Sequence, residues 1–280
     1  MRKILKIAGF ILLGLLVIVF IMLAIYYPAM KKLYFGTEVI KHDSSLTIYL
    51  GGGGNSVVFN SDSAILVVDT KSGKTAESLH RDVEAMRQGK PVIIVNTHSD
   101  FDHTGGNPMY PKASIITGRV DESYWIEGNG AINMPTKWLT DTMNIQLGEE
   151  TVTIIPMGQA HTWFDVVVFF RQRKILVTGD LVFSGLNTFF SAKKGSNGNK
   201  SIEALKHLNE LAPIDLVIPG HGKPGGRELI TGMLEYLTDM SLAAQKPELE
   251  KDIRKKYKGL VAMPGISSPA IVIDYFRKYP

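Results

Sequence analysis

The stretch NTHSDFDHTGG, residues 96–106, sets His98, Asp100, Asp102 and His103 within six positions and then runs into two glycines. Imidazole nitrogens and carboxylate oxygens at this spacing can converge on a divalent cation. The same composition also suits a solvated surface loop, so the rest of the chain must decide. Three other places repeat the pattern: GQAHT delivers His161, TGD delivers Asp180 and PGHG delivers His221, each beside glycine and each after an apolar run. The chain contains no cysteine. That excludes disulfides, thiolate zinc knuckles, cysteine-ligated iron–sulfur clusters and a cysteine nucleophile. Any metal must sit mainly on nitrogen and oxygen, which suits zinc, manganese or iron.

Rigid elements must hold these groups. PVIIVNTH (91–98), TVTIIPM (151–157), KILVTGD (174–180) and DLVIPGH (215–221) read as strands that lead into the chemistry-bearing residues. LTIYL (46–50), SVVFN (56–60), AILVVDT (64–70), ASIIT (113–117) and DVVVFF (165–170) add further strands. Helical spacing appears over 73–88 (Ala76, Leu79, Val83, Met86), 200–211 and 226–245, with a Lys-rich helix near 248–257. Continuous apolar strands alternating with helices predict a layered α/β domain, in which functional groups gather where strand ends converge. The run Gly51–Gly54 reads equally as a hinge or as a loop that lets backbone approach something closely. His42, His80 and His207 lie before the first strand or on helix faces and read as ordinary residues.

HSDFDH, followed by His161, Asp180 and His221, resembles the metallo-β-lactamase superfamily, whose first motif is H-x-H-x-D-H. VVDT, HTGGN, TGD before LVF, and VIPGHG extend the likeness over roughly residues 45–245. The resemblance implies a four-layer αβ/βα sandwich with a two-metal site at the edge of its sheets. Carried over, His98, Asp100 and His161 would bind one ion, Asp102, His103 and His221 the other, and Asp180 would bridge both. The cofactor expected is a pair of divalent ions, zinc first, with iron or manganese as alternatives. Asp102 is also the candidate catalytic carboxylate. Two such ions, roughly 3.5–4 Å apart, share a metal-bound hydroxide that serves as nucleophile, so no Ser or Cys is needed.

Two departures stand out. Asp100 replaces the second histidine of the motif, which adds a negative charge and moves preference toward harder ions. HTWFD (161–165) lacks the glycine that relatives have after the threonine, so Phe164 is expected to reshape the pocket rim, and Trp163 is expected in the core or facing substrate. Asn187 and Lys223 are the candidate substrate contacts. Lys193 and Lys194, in the polar segment FFSAKKGSNGN (189–199), are either solvated or paired with an anion.

From Ile7 to Tyr27 no residue is charged, and Arg2, Lys3 and Lys6 precede the run. This predicts a single-pass transmembrane anchor over residues 1–28, the N-terminus cytoplasmic, with the hydrolase domain (29–280) extracytoplasmic. A cleaved signal peptide would be shorter and end in small residues. The anchor also explains the charge: of the net +4, its three basic residues leave 28 basic against 27 acidic side chains elsewhere. A near-neutral domain is a poor phosphate-backbone binder, so no nucleic-acid partner is expected. The expected function is metal-dependent hydrolysis of an ester, thioester, lactone or amide of a small molecule. The alternatives are a phosphodiesterase of the same fold, an iron-dependent redox member, or a binding protein with a degenerate site.

Overall fold

Strand patterning sets the architecture. In DVVVFF, Val166, Val168 and Phe170 point to one side and Val167 and Phe169 to the other, and all five are buried. A strand that is apolar on both faces must be covered on both. The structure, a computed structural model, describes residues 12–21, 24, 27, 37–129, 134–211, 213–262 and 265–280.

One sheet runs in sequence order from β1 (Glu38–Lys41) through β2 (Leu46–Leu50), β3 (Ser56–Asn60), β4 (Ile65–Val68), β5 (Val92–Val95) and β6 (Ser114–Gly118) to β7 (Lys137–Leu139). Its first four strands pair antiparallel and the last four parallel. The second sheet is ordered β12 (Leu216–His221), β11 (Ile175–Phe183), β10 (Asp165–Phe170), β9 (Glu150–Gly158), β8 (Met143–Leu147), with only β11 and β12 parallel. Leu46, Ile48, Val57, Leu66 and Val68 of the first sheet pack against Val152, Ile154, Val166, Val168 and Phe170 of the second.

The outer faces are covered by helices. Leu79 and Val83 of α1 (Gly73–Arg87) close over Val58, Ile65, Val67 and Ile94. On the far side, α4 (Gly198–Glu210), α5 (Glu228–Gln245) and α7 (Pro269–Lys278) cover Val167, Phe169, Leu176 and Val217. These are the four layers expected. The short helices α2 (Phe101–Thr104) and α3 (Glu122–Asn129) follow β5 and β6, and α6 (Glu250–Lys256) packs on α5, with Ile253 in the same core as the second helix group. Asn197 caps α4 by accepting from Lys200 N, and Ser268 caps α7 by accepting from Ile271 N.

The expected anchor is a different matter. Of residues 1–28, only 12–21, 24 and 27 are described, and the rest of that expectation lies outside the described residues. Among the described residues no helix is long and apolar enough to cross a membrane, so the structure does not support the transmembrane helix.

Candidate metal centre

The chemistry-bearing residues leave their strands at one edge of the two sheets. His98 lies just past β5, His103 on α2, His161 just past β9, Asp180 within β11 and His221 at the end of β12. Two groups form: His98, His161 and Asp180, then Asp102, His103 and His221, the ligand atoms of each lying within 4.8 Å of one another. Asp180 sits between them. Its Oδ2 is 3.8 Å from His98 Nε2, 3.5 Å from His161 Nε2 and 3.4 Å from His221 Nε2, while Oδ1 is 3.2 Å from His103 Nε2. Asp102 Oδ2 stands 3.4 Å from His221 Nε2 and 3.8 Å from His103 Nε2.

These spacings fit a cation. Two donors each ~2.1 Å from one tetrahedral ion stand about 3.4 Å apart. Nε2 of His98, Nε2 of His103 and Oδ1 of Asp180 are buried without a hydrogen-bond partner, an arrangement costly to a fold unless something else meets those atoms. Burial, and then the neighbouring His103, hold His98 well below the ordinary imidazole range, toward the neutral form that a ligand requires. Burial alone would raise Asp180, but the imidazoles of His221, His103 and His98 overcome it and hold the carboxyl well below its usual range.

The rings are oriented from behind by Asp69. His103 Nδ1 lies 2.8 Å from Asp69 Oδ2, which also accepts from Thr97 Oγ1 at 2.8 Å. Thr97 Oγ1 in turn lies 3.0 Å from His98 Nδ1. The Thr97 hydroxyl proton is committed to the carboxylate, so His98 Nδ1–H donates to the hydroxyl and His103 Nδ1–H to the carboxylate. With both rings neutral, their Nε2 lone pairs face the cluster. Asp69 was visible in the sequence only as a letter of VVDT; its role depends on a left-handed backbone, φ +59°, that turns its side chain into the site.

The Gly51–Gly54 run proves to be a close-approach loop. A Cβ on Gly54 would fall 2.3 Å from the His103 ring, and one on Gly53 would fall 2.9 Å from Asp102 Cβ. Asn55 pins the loop to the His221 strand: its N–H donates to Gly220 O, and Nδ2 donates to Pro219 O and Gly222 O. Beneath the loop Lys71 is fully buried, donating Nζ to Gly51 O and Gly54 O.

The chain belongs to the metallo-beta-lactamase superfamily. The family's model matches residues 49–221, which contain both triads. A metallo-beta-lactamase type 2 of Bacillus cereus is 25% identical over 185 residues, spanning 65% of this chain and 72% of that protein. An acyl-coenzyme A thioesterase of Bos taurus is 25% identical over 183 residues, spanning 56% and 64%. The solved structure of a metallo-beta-lactamase from Pontibacter korlensis shares the fold at a TM-score of 0.63 and 21% identity, covering 73% of this chain and 100% of that one. The protein is therefore an enzyme of this superfamily, a metal-dependent hydrolase, and the superfamily's divalent ions, usually zinc, match the donor set present.

Other expected residues fall differently. Asp100 Oδ2 faces the first triad, 3.7 Å from His161 Nε2 and 4.0 Å from His98 Nε2, while Oδ1 accepts from Lys194 Nζ at 2.9 Å. Asn187 is not placed to touch substrate: it is buried, Nδ2 donates to Val261 O and Leu260 O, and Oδ1 accepts from Tyr236. Lys223 is exposed and lines a groove with Glu38, Ile40 and His42 that includes no residue of either triad. Phe164 is half-buried and packs against the core between the sheets, its ring filling the space a Gly118 side chain would need. Trp163 is half-buried and stacks on Tyr124 with ring centroids 4.5 Å apart. Lys193 is exposed.

Proposed function

We propose that the enzyme hydrolyses an acyl bond (ester, thioester, lactone or amide) of a small molecule, using two divalent ions, zinc first among them. The observation that carries this is the pair of triads sharing Asp180, with the buried Nε2 atoms of His98 and His103 directed at the centre and unpaired. The relatives named as a β-lactamase and as an acyl-coenzyme A thioesterase both cleave carbonyl compounds, which supports the acyl class.

His98, His161 and Asp180, with Asp100 alongside, would hold one ion, and Asp102, His103 and His221 the other. When bound, such ions activate water and polarise a scissile carbonyl. Asp69 and Thr97 keep His98 and His103 in the ligating tautomer. Asp102, whose side chain is 28% exposed against 6% for Asp180, would turn Oδ2 toward the ion and leave its other carboxylate oxygen as a proton acceptor on the more open side of the site. The near-neutral charge of the domain supports a small molecule over a phosphodiester of nucleic acid.

We further infer that the chain is membrane-associated, with its hydrolase domain extracytoplasmic. The uncharged run Ile7–Tyr27 behind Arg2, Lys3 and Lys6, and the absence of cysteine, support this. The decisive experiment measures metal content of the full chain in detergent alongside turnover of chromogenic ester, thioester, β-lactam and phosphodiester substrates. About two divalent ions per chain, with chelator-sensitive turnover of a carbonyl substrate, are expected. A chain that holds no metal, or one that cleaves only the phosphodiester, overturns the reading.

A further inference from the structure

Asp100 is the one place where the first motif departs from H-x-H-x-D-H, and the structure gives it a partner from far along the chain. Lys194 ends a short turn of 3-10 helix, Ala192–Lys194, and its Nζ donates to Asp100 Oδ1 at 2.9 Å. The remaining oxygen, Oδ2, faces the Nε2 atoms of His161 and His98. We propose that Lys194 is the charge partner of Asp100 at the first metal site: it ties up one oxygen of Asp100 and cancels the charge that the carboxylate adds where relatives carry a neutral imidazole, which stabilises the metal-free site and moderates its affinity for the ion. This rests on the two-metal reading above.

The turn that carries Lys194 is built onto the site. Ser196 Oγ donates to the carbonyl of His161 at 2.6 Å, and Ser191 N donates back to Ser196 Oγ at 2.8 Å. Gln159 Nε2 donates to Gly195 O, and Tyr275 of α7 donates to Ser196 O. Gly195 closes the turn at φ +80°, where a Cβ would also strike the Trp163 ring. The opposite partner is equally constrained, because the carbonyl of Asp100 accepts from His103 N, Thr104 N and Thr104 Oγ1. Both ends of the ion pair are thus tied to backbone that also carries His161 or His103. The pair is not a loose surface contact: Asp100's side chain is 10% exposed, although that of Lys194 is 42% exposed.

Charge arithmetic explains why the partner matters. An imidazole ligand is neutral, whereas Asp100 adds one negative charge to a cluster that already holds Asp69, Asp102 and Asp180. A lysine ammonium in contact restores the balance. Without Lys194 the metal-free site is left one unit more negative. It should then be less stable, and it should bind a divalent ion more tightly, because the ion itself neutralises the excess.

The test is a double-mutant cycle on the full chain, read as Mn²⁺ and Zn²⁺ affinity by chelator competition and as melting temperature of the metal-free protein. Lys194→Met is expected to tighten binding at the site of His98, His161 and Asp180 about tenfold, as for loss of one partly solvated charge, more for Mn²⁺ than for Zn²⁺, and to lower the metal-free melting temperature. Lys194→Arg should stay within about twofold of the parent, since it keeps charge and donor. In Asp100→His the ammonium has no carboxylate to hold it and turns to solvent, so adding Lys194→Met should change affinity by less than about twofold. An equal effect in both backgrounds, or unchanged or weaker binding in the Asp100 background, overturns the proposal while leaving the two-metal reading intact. A parent chain that binds no divalent ion overturns both.

Discussion

Asp69 adopts a backbone that a side-chain-bearing residue enters at a cost of about 1–2 kcal/mol. In return its carboxylate accepts from Thr97 N, Thr97 Oγ1 and His103 Nδ1. Asp69→Asn keeps the shape but replaces one acceptor oxygen by a donor, so one of these contacts becomes a clash of donors. Metal affinity is expected to fall about 10- to 100-fold with the fold retained, checked by chelator competition and circular dichroism; unchanged affinity would show that the rings are oriented by something else. The ligands themselves allow a harsher test. Asp180→Asn and His221→Ala should each reduce turnover below about a tenth of the parent's, ~1.4 kcal/mol in the barrier. A folded variant retaining more than that would remove the residue from the ligand set.

Two elements place the site. The glycine loop between β2 and β3 lies so close to the first-motif helix that Gly54→Ala must displace the His103 ring. That variant should fold, yet hold about one ion fewer per chain by elemental analysis; a full metal complement would mean that the loop yields instead. Lys71 beneath the loop gives a pH signature. Burial lowers its ammonium to about 7 from the ordinary 10.5, against the opposing pull of Asp102 and Asp69. Between these values the unfolded chain holds a proton that the folded one has released, so metal-free stability should rise with pH across that window. Denaturant midpoints measured from pH 7 to 10 test this: the rise should be present in the parent and flattened in Lys71→Met. A slope that persists in the variant assigns it to another group.

At the scale of the molecule, the two sheets enclose one apolar layer while helices cover both outer faces, so the site at the sheet edge rests on a rigid frame. The N-terminal run belongs to a separate question, that of location. The full chain is expected to sediment with membranes and to be released by detergent, and deletion of residues 1–28 should leave the remaining protein in the soluble fraction. A full chain found soluble without detergent would count against the inferred association.

Much of this was legible along the chain because its cause is local. Strands such as DVVVFF and SVVFN carry apolar residues on both faces, and that pattern alone demands two covering layers. Short or half-exposed elements were not legible: β7 has three residues, and β8 alternates as an edge strand with only Leu147 fully buried. The positions of the histidines and aspartates at strand ends were likewise readable, since such ends converge in layered folds. What tertiary structure decided was which distant groups meet. Lys194 reaches Asp100 across 94 positions, and Asp69 reaches His103 across 34. Asn187, plausible as a substrate contact in sequence, proved to have its amide committed to Tyr236 and the backbone at 260–261. Residue type and spacing specify what a side chain can bind; only the packing of remote segments determines which partner takes up its hydrogen-bonding capacity first.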